Sequence, residues 1–202
     1  MPAERRPSCW SNVPAERRPP RAERPPSARV FFALWPPAAV ADTLAGVAHT
    51  FASQHGGRPT RLDTIHLTLA FLGDVPVSAL PELCALGRCL QASRFDLHLD
   101  RLAYWAHNHV LWAGCRATPV GLTDLHRRLH AALGEDGYPV DPPGGRRFTP
   151  HVTLVRKLDL AESTDWPPLP SLIWHCASFV LVQSVLTPEG PNYRVIETFP
   201  LR

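Results

Sequence analysis

The sequence predicts an α+β domain of two similar lobes, in which sheets form the walls of a cleft and helices cover the outside. The first observation is the order of the predicted elements, strand–helix–strand–helix–strand and then strand–helix–strand with further strands. The second is an internal repeat, because the pattern His-x-Thr occurs inside apolar strands at 66–68 and again at 151–153. A pattern that recurs at corresponding places indicates that each copy belongs to one lobe.

In the first half, residues 29–35 (RVFFALW) form an apolar run that ends at a Pro-Pro pair, which is typical of a buried strand. From 38 to about 54, apolar residues recur at intervals of three and four, as on one face of a helix. A Gly-Gly-Arg-Pro loop follows, and then a strand is expected at about 65–72 and a helix at 78–91.

The second half repeats this alternation. Period-two patterns predict strands, and leucines at intervals of three and four predict one more helix. The strands are expected at 95–105, 110–116, 150–156, about 173–184 and 193–201, and the helix at 122–133.

Residues 1–27 form a low-complexity segment rich in proline, arginine and glutamate, in which Pro-Ala-Glu-Arg-Arg-Pro occurs at 2–7 and again at 14–19. The segment has little apolar surface to offset the entropy of ordering. We therefore expect a disordered tail at 1–27, with an RNA-tethering arm as the alternative, and one folded domain at 28–202.

The net charge of +3 belongs to the tail, which holds six arginines and three glutamates. The rest of the chain has 15 basic and 15 acidic residues (21 − 6 and 18 − 3). An anion site in the folded domain must therefore be built by local charges.

The five cysteines are odd in number and include no Cys-x-x-Cys pair, which fits neither a disulfide framework nor a zinc site. Reduced thiols are expected. No apolar run reaches the ~18–20 residues of a membrane span, and the N-terminus lacks the apolar stretch of a signal peptide. We expect a cytoplasmic monomer without a membrane partner.

The two His-x-Thr copies are the candidate site. Side chains alternate between the faces of a strand, so His66 and Thr68 share one face, as do His151 and Thr153. One such pattern alone is usually a partly exposed strand face. Two copies at corresponding places of two lobes indicate that four polar side chains converge.

These residue types suit in-line attack on a phosphodiester. One imidazole can act as a neutral base while the other is a protonated acid, and threonine hydroxyls can donate to an anion. Arg156 can bind the phosphate as a fork if the strand ends or bulges before it; otherwise it is a solvated strand end. No carboxylate cluster accompanies the motifs, so neither a metal nor another cofactor is expected. Spacing does not say which histidine is the acid.

The chain resembles the two-histidine phosphoesterase superfamily, specifically the RNA 2′,3′-cyclic phosphodiesterases once described as 2′-5′ RNA ligases. The segments that resemble the family's motifs are 29–35, 65–73 (IHLTLAFLG) and 149–156 (TPHVTLVR). Gln183 departs from the acidic residue that many members carry there. The closing strands also resemble the family, at 181–184, Tyr193 and 199–201.

The resemblance implies two pseudo-symmetric lobes whose antiparallel sheets line a positively charged cleft. It implies hydrolysis of a terminal 2′,3′-cyclic phosphate to a 2′-phosphomonoester, with RNA ends or small cyclic nucleotides as partners. By carry-over, His66 is the proton donor and His151 the proton acceptor, while Thr68, Thr153 and Arg156 bind the phosphate.

Two other functions stay open at this point. One is a non-catalytic module that binds RNA ends in the same cleft. The other is a related phosphoesterase that acts on a different cyclic phosphate or on 2′-5′-linked oligonucleotides.

His126 and His130 are spaced to bind zinc from one helix face, but Arg127 stands where the usual zinc motif has glutamate, so surface packing is expected.

Overall fold

The computed structural model describes residues 26–138, 148–160, 169–188 and 190–202. The predicted tail at 1–27 lies outside these ranges except for its last two residues, so its disorder stays a prediction. Ser27 already begins the first strand.

The described residues form ten strands and three α-helices. The strands are β1 Ser27–Leu34, β2 Arg58–Pro59, β3 Leu67–Pro76, β4 Phe95–Leu99, β5 Arg101–Trp105, β6 Val110–Gly114, β7 His151–Arg156, β8 Leu172–Cys176, β9 Ser178–Thr187 and β10 Gly190–Pro200. The helices are α1 Ala38–His55, α2 Leu80–Cys89 and α3 Val120–Glu135, and short 3-10 helices lie at Leu62–Thr64 and Val77–Ala79.

Eight strands form one antiparallel sheet in the order β10-β9-β1-β3-β7-β6-β5, with β2 added beside β7. The two lobes are continuous in this sheet, and they meet where Leu67 of β3 pairs with Val152 of β7. The predicted α+β fold is confirmed, with one sheet that runs through both lobes where separate walls were expected.

Each lobe is built on the same strand–helix–strand unit. In the first, α1 connects β1 to β3, and in the second, α3 connects β6 to β7; the two strands of each unit are antiparallel neighbours. The helices pack across the lobes, because α1 contacts β7 and α3 contacts β3. Each helix therefore packs on a strand of the other lobe, which holds the two units together with β3 and β7 side by side.

The core lies between the sheet and the helices. Alternate residues of β1, such as Phe32 and Leu34, are fully buried on the helix side. The leucines predicted to share one face of α3 are all buried as well: Leu122, Leu125, Leu129 and Leu133. On the opposite face, a second apolar cluster of Phe31, Ala33, Val180 and Val182 packs against Trp35 and Tyr193.

Two strand predictions were wrong. The strand expected at 95–105 breaks at Asp100 into β4 and β5, and the strand expected at 173–184 breaks at Ala177 into β8 and β9. β4 and β8 pair with each other in a separate two-stranded sheet, while β5 and β9 belong to the main sheet. Period-two alternation specifies which face a side chain takes, whereas the strand's partner is set by distant residues.

The helix predicted at 78–91 begins with the 3-10 turn and ends at Cys89, with Pro81 in the first turn of α2. No helix within the described ranges is long and apolar enough to cross a membrane. The four described cysteines have free thiols: Cys84, Cys89, Cys115 and Cys176.

Candidate active site

Both His-x-Thr copies line one cleft, whose volume is about 390 Å³, within the range of small-molecule sites. His66 directly precedes β3 and His151 opens β7, and the pairing of these strands brings the copies together. The five residues predicted from the sequence all line this cleft: His66, Thr68, His151, Thr153 and Arg156.

The backbone orients both imidazoles in the same way. The Nδ1–H of His66 donates to the carbonyl oxygen of Thr64 at 2.7 Å, and the Nδ1–H of His151 donates to that of Thr149 at 2.9 Å. A carbonyl oxygen only accepts, so each neutral ring carries its proton on Nδ1 and leaves Nε2 as the reactive nitrogen. In the first copy, the Thr68 hydroxyl lies 3.1 Å from Nε2 of His66.

A β-bulge follows each His-x-Thr copy. Opposite β6, Val155 pairs with Leu111 and Thr153 with Trp112, so Leu154 is the extra residue. Leu154 and Val155 are both buried, and Arg156 therefore returns to the cleft face. This confirms the irregularity that the sequence required for Arg156 to reach the site.

The same irregularity occurs in β3, where Leu69 is the extra residue opposite β1. Its carbonyl oxygen accepts a hydrogen bond of 2.9 Å from Nε2–H of His130 in α3. The His130 ring stacks on that of His126 at 3.9 Å, and His126 stacks on Phe148. Packing thus accounts for this histidine pair, as expected. No three His, Cys, Asp or Glu residues group as metal ligands in the described part of the chain.

Aromatic rings enclose His66. The ring of Phe31, which is only 3% exposed, lies 4.9 Å away, Trp35 stacks at 5.9 Å and Tyr193 approaches edge-on at 5.3 Å. Burial in this cluster, together with the charges of Arg156 and His151, lowers the pKa of His66 to about 4, although the hydrogen bond to Thr64 acts in the opposite direction. Free His66 is therefore neutral at neutral pH.

His151 lies in a similar but more open setting. Trp105 approaches its ring edge-on at 4.6 Å and Trp112 at 6.1 Å. Burial lowers the pKa of His151 below its usual range, and the charge of Arg156 acts in the same direction. A proton donor in this cleft consequently needs a bound anion to hold its proton.

Among the other residues that line the cleft, the sequence analysis did not identify three cations and one aromatic residue as part of the site: Arg58, Arg61, Lys157 and Tyr193. Lys157 directly follows Arg156, so an extension of the second motif by one residue would have found it. Arg58 and Arg61 lie in the loop before the first motif, where only the pairing of β2 with β7 brings Arg58 to the site.

The family model of LigT-like phosphoesterases matches residues 34–112. The chain is 34% identical over 175 residues to the RNA 2′,3′-cyclic phosphodiesterase of Escherichia coli K12, with 86% of this chain and 96% of the relative covered. It is 33% identical over 182 residues to the enzyme of the same name from Thermus thermophilus, with 86% and 90% covered.

Solved structures of phosphoesterases are also similar to this chain. The crystal structure of E. coli LigT in the apo form has a TM-score of 0.78 at 30% identity and covers 87% of this chain and 98% of its own. E. coli LigT complexed with 3′-AMP has a TM-score of 0.75 at 29% identity, with 87% and 99% covered.

Two strand–helix–strand units, each presenting one histidine and one threonine to a shared cleft, define a phosphoesterase of the two-histidine class. Within that class, the chain belongs to the LigT-like phosphoesterase family.

Proposed function

We propose that this protein is an RNA 2′,3′-cyclic phosphodiesterase, which hydrolyses a terminal 2′,3′-cyclic phosphate to a 2′-phosphomonoester by metal-independent acid–base catalysis. The observation that carries the proposal is the pair of imidazoles in one cleft, each with its Nδ1–H held by a backbone carbonyl. The names of the relatives from E. coli and T. thermophilus support the choice of substrate.

In the proposed reaction, Nε2 of His151 accepts a proton from water as the water oxygen attacks phosphorus. The bond between phosphorus and the 3′-oxygen breaks, and Nε2–H of His66 donates its proton to that oxygen. The ring opens to a 2′-phosphomonoester with a free 3′-hydroxyl. The hydroxyls of Thr68 and Thr153 and the guanidinium of Arg156 bind the non-bridging oxygens, where negative charge accumulates.

The bound phosphate supplies what the free site lacks. A negative charge within hydrogen-bonding distance favours the charged form of an imidazole and raises its pKa. Substrate therefore enters a site with two neutral rings, and one proton is taken up with it. Carry-over from the family assigns that proton to His66, next to Thr68.

We further propose that the enzyme acts as a cytoplasmic monomer. The four described free thiols are typical of a reducing compartment.

The proposed function predicts the product. Each of the four 2′,3′-cyclic nucleotides, incubated with the protein in excess EDTA, should yield the nucleoside 2′-monophosphate, identified by chromatography against 2′ and 3′ standards. The two imidazoles perform both proton transfers, so chelation should not reduce the rate. Loss of activity that zinc or magnesium restores would contradict the metal-free mechanism. Binding without turnover would favour the RNA-end binding module, and turnover of other cyclic phosphates alone would favour the related phosphoesterase.

Arg156 should act mainly in binding. Because a charge-assisted hydrogen bond contributes ~1.5–3 kcal/mol, Arg156→Ala should raise KM by ~10–100-fold. Arg156→Lys should recover only part of this, since an ammonium keeps the charge and loses the planar fork. Arg128→Ala is the matched control, because Arg128 lies on α3 in an exposed pair with Asp124. Equal KM values for Arg156→Ala and the control would remove Arg156 from the site.

A further inference from the structure

The cleft holds more positive charge than a single cyclic phosphate uses. Among the described residues that line it, four are permanent cations and none is acidic: Arg58, Arg61, Arg156 and Lys157. A cyclic phosphate carries one negative charge, and the proposed mechanism assigns Arg156 to it. A cleft lined by one sign of charge attracts anions of the opposite sign, so the other cations can bind a second anionic group.

Arg58 lies where sheet stability alone disfavours it. Arg58 and Arg156 are direct register partners across β2 and β7, and like charges in opposed positions destabilise a sheet. The close approach of this segment to β7 requires a glycine at position 57. Gly57 has φ +86°, and a Cβ there would lie 2.7 Å from Cγ1 of Val155 and 3.1 Å from the carbonyl oxygen of Arg156. With the reacting phosphate bound at Arg156, a second anion beside Arg58 would offset this repulsion.

Lys157 is held in an uncommon conformation. Its φ is +55°, the left-handed region that a residue other than glycine, asparagine or aspartate seldom adopts. The next residue, Leu158, is fully buried. Its N–H donates to the carbonyl oxygen of His109 at 3.1 Å, and its own carbonyl oxygen accepts from the Tyr104 hydroxyl at 2.6 Å. Strain of this kind persists only where the surroundings impose it, and it is concentrated at functional sites.

Arg61 contributes less. Its guanidinium donates two hydrogen bonds to Asp63, at 3.0 and 2.7 Å, and both side chains are largely exposed. The carboxylate compensates much of its charge. Arg58 is the register partner of Arg156 and Lys157 is the next residue of the chain, so these two cations lie beside the phosphate site at Arg156.

We propose that Arg58 and Lys157 form a second phosphate subsite, which binds the phosphate on the 5′ side of the reacting ribose. This inference rests on the proposed function, and it specifies that a 5′-phosphorylated end is preferred over a cyclic mononucleoside phosphate. The second phosphate can be the internucleotide phosphodiester of an RNA strand or a 5′-phosphate on a single nucleotide. Both present the same anionic oxygens to the two cations.

Three substrates whose reacting ribose carries the same base distinguish the two sources of the second phosphate. They are adenosine 2′,3′-cyclic phosphate, its 5′-phosphorylated form, and the dinucleotide ApA ending in a 2′,3′-cyclic phosphate. The wild type should have a kcat/KM about 10-fold or more higher for the two substrates with a second phosphate, the range expected for one or two charge-assisted contacts. The ratio should fall with added salt, because exposed charges are screened.

Arg58→Ala and Lys157→Gly should each reduce this ratio several-fold, and the double variant should bring it close to one. Glycine accommodates φ +55° without strain, so Lys157→Gly removes the charge without disfavouring the turn. Arg128→Ala again serves as the matched control and should keep the wild-type ratio. Thermal unfolding of each variant shows that it is folded.

A wild-type ratio near one overturns the subsite, and so does a high ratio that both variants retain, since the preference then comes from other contacts. A high ratio for ApA with none for the 5′-phosphorylated mononucleotide, lost in the variants, assigns the subsite to the phosphodiester of a strand. If the wild type hydrolyses none of the three substrates, the proposed function fails. Calorimetry then tests the subsite alone. Adenosine 2′,5′-bisphosphate should bind about 10-fold more tightly than adenosine 2′-monophosphate, and the double variant should bind both equally.

Discussion

His66→Ala and His151→Ala should each reduce kcat by roughly 10²–10⁴-fold, the usual range for loss of a general acid or base. Both act on one reacting phosphate in the same transition state. The double variant should therefore lose clearly less than the product of the two single losses, because groups that act as a unit are not additive. Single-turnover measurements at saturating cyclic nucleotide would report the chemical step directly.

Controls must separate chemistry from packing at these positions. His66 contacts three aromatic rings, so its removal also leaves space among those rings. His66→Gln keeps most of the volume and should show the same loss of kcat with a smaller loss of thermal stability. His98→Ala is the matched control, since His98 is exposed on β4, outside the cleft. Wild-type kcat in either single variant would disprove the paired assignment.

The pH dependence should be the second large effect. Burial lowers the pKa of His66 to about 4 and the pKa of His151 below its usual 6.5. The reaction needs one ring neutral and the other protonated, and the profile of kcat/KM reports the free enzyme. We therefore expect a bell for kcat/KM with its maximum below pH 6.5. On the upper limb of the bell, the form with two neutral rings dominates, and kcat/KM should fall by ~10-fold for each pH unit.

The profile of kcat should lie at higher pH than the profile of kcat/KM. The bound phosphate stabilises the protonated ring, so the pKa of the donor rises in the complex and the upper limb moves upward. Proton NMR of the free protein provides an independent measurement, because the ring signals of His66 should still be those of a neutral imidazole at pH 6. A kcat/KM maximum above pH 7, or ring signals of a protonated His66 at pH 6, would contradict the electrostatic account.

This profile cannot by itself identify the donor. Two coupled imidazoles give macroscopic pKa values that belong to the pair. His151 is the more open of the two, whereas carry-over from the family assigns the donor role to His66. The variants provide the assignment. Loss of the donor should be partly compensated in a substrate whose leaving oxygen is replaced by a better leaving group, and loss of the base should not be.

Several features of the site could be predicted from the sequence because they depend on neighbours along the chain. Period-two alternation places His66 with Thr68 and His151 with Thr153, and both pairs do line the cleft. The position of Arg156 required a local irregularity, and the bulge at Leu154 provides it. The two broken strands were missed for the complementary reason. Residues typical of strands continue on both sides of Asp100 and Ala177, although the partner strand changes there.

The sequence by itself determined the class of chemistry, because residue type and spacing specify which groups face one side of a strand. Tertiary structure decided the electrostatics. Strand pairing between β2 and β7 brings Arg58 opposite Arg156, and the anchored turn at Leu158 directs Lys157 into the cleft. The pKa of His66 is likewise set by Phe31, Trp35 and Tyr193, which come from distant strands. Burial and charge depend on separations in space, and only long-range packing establishes those.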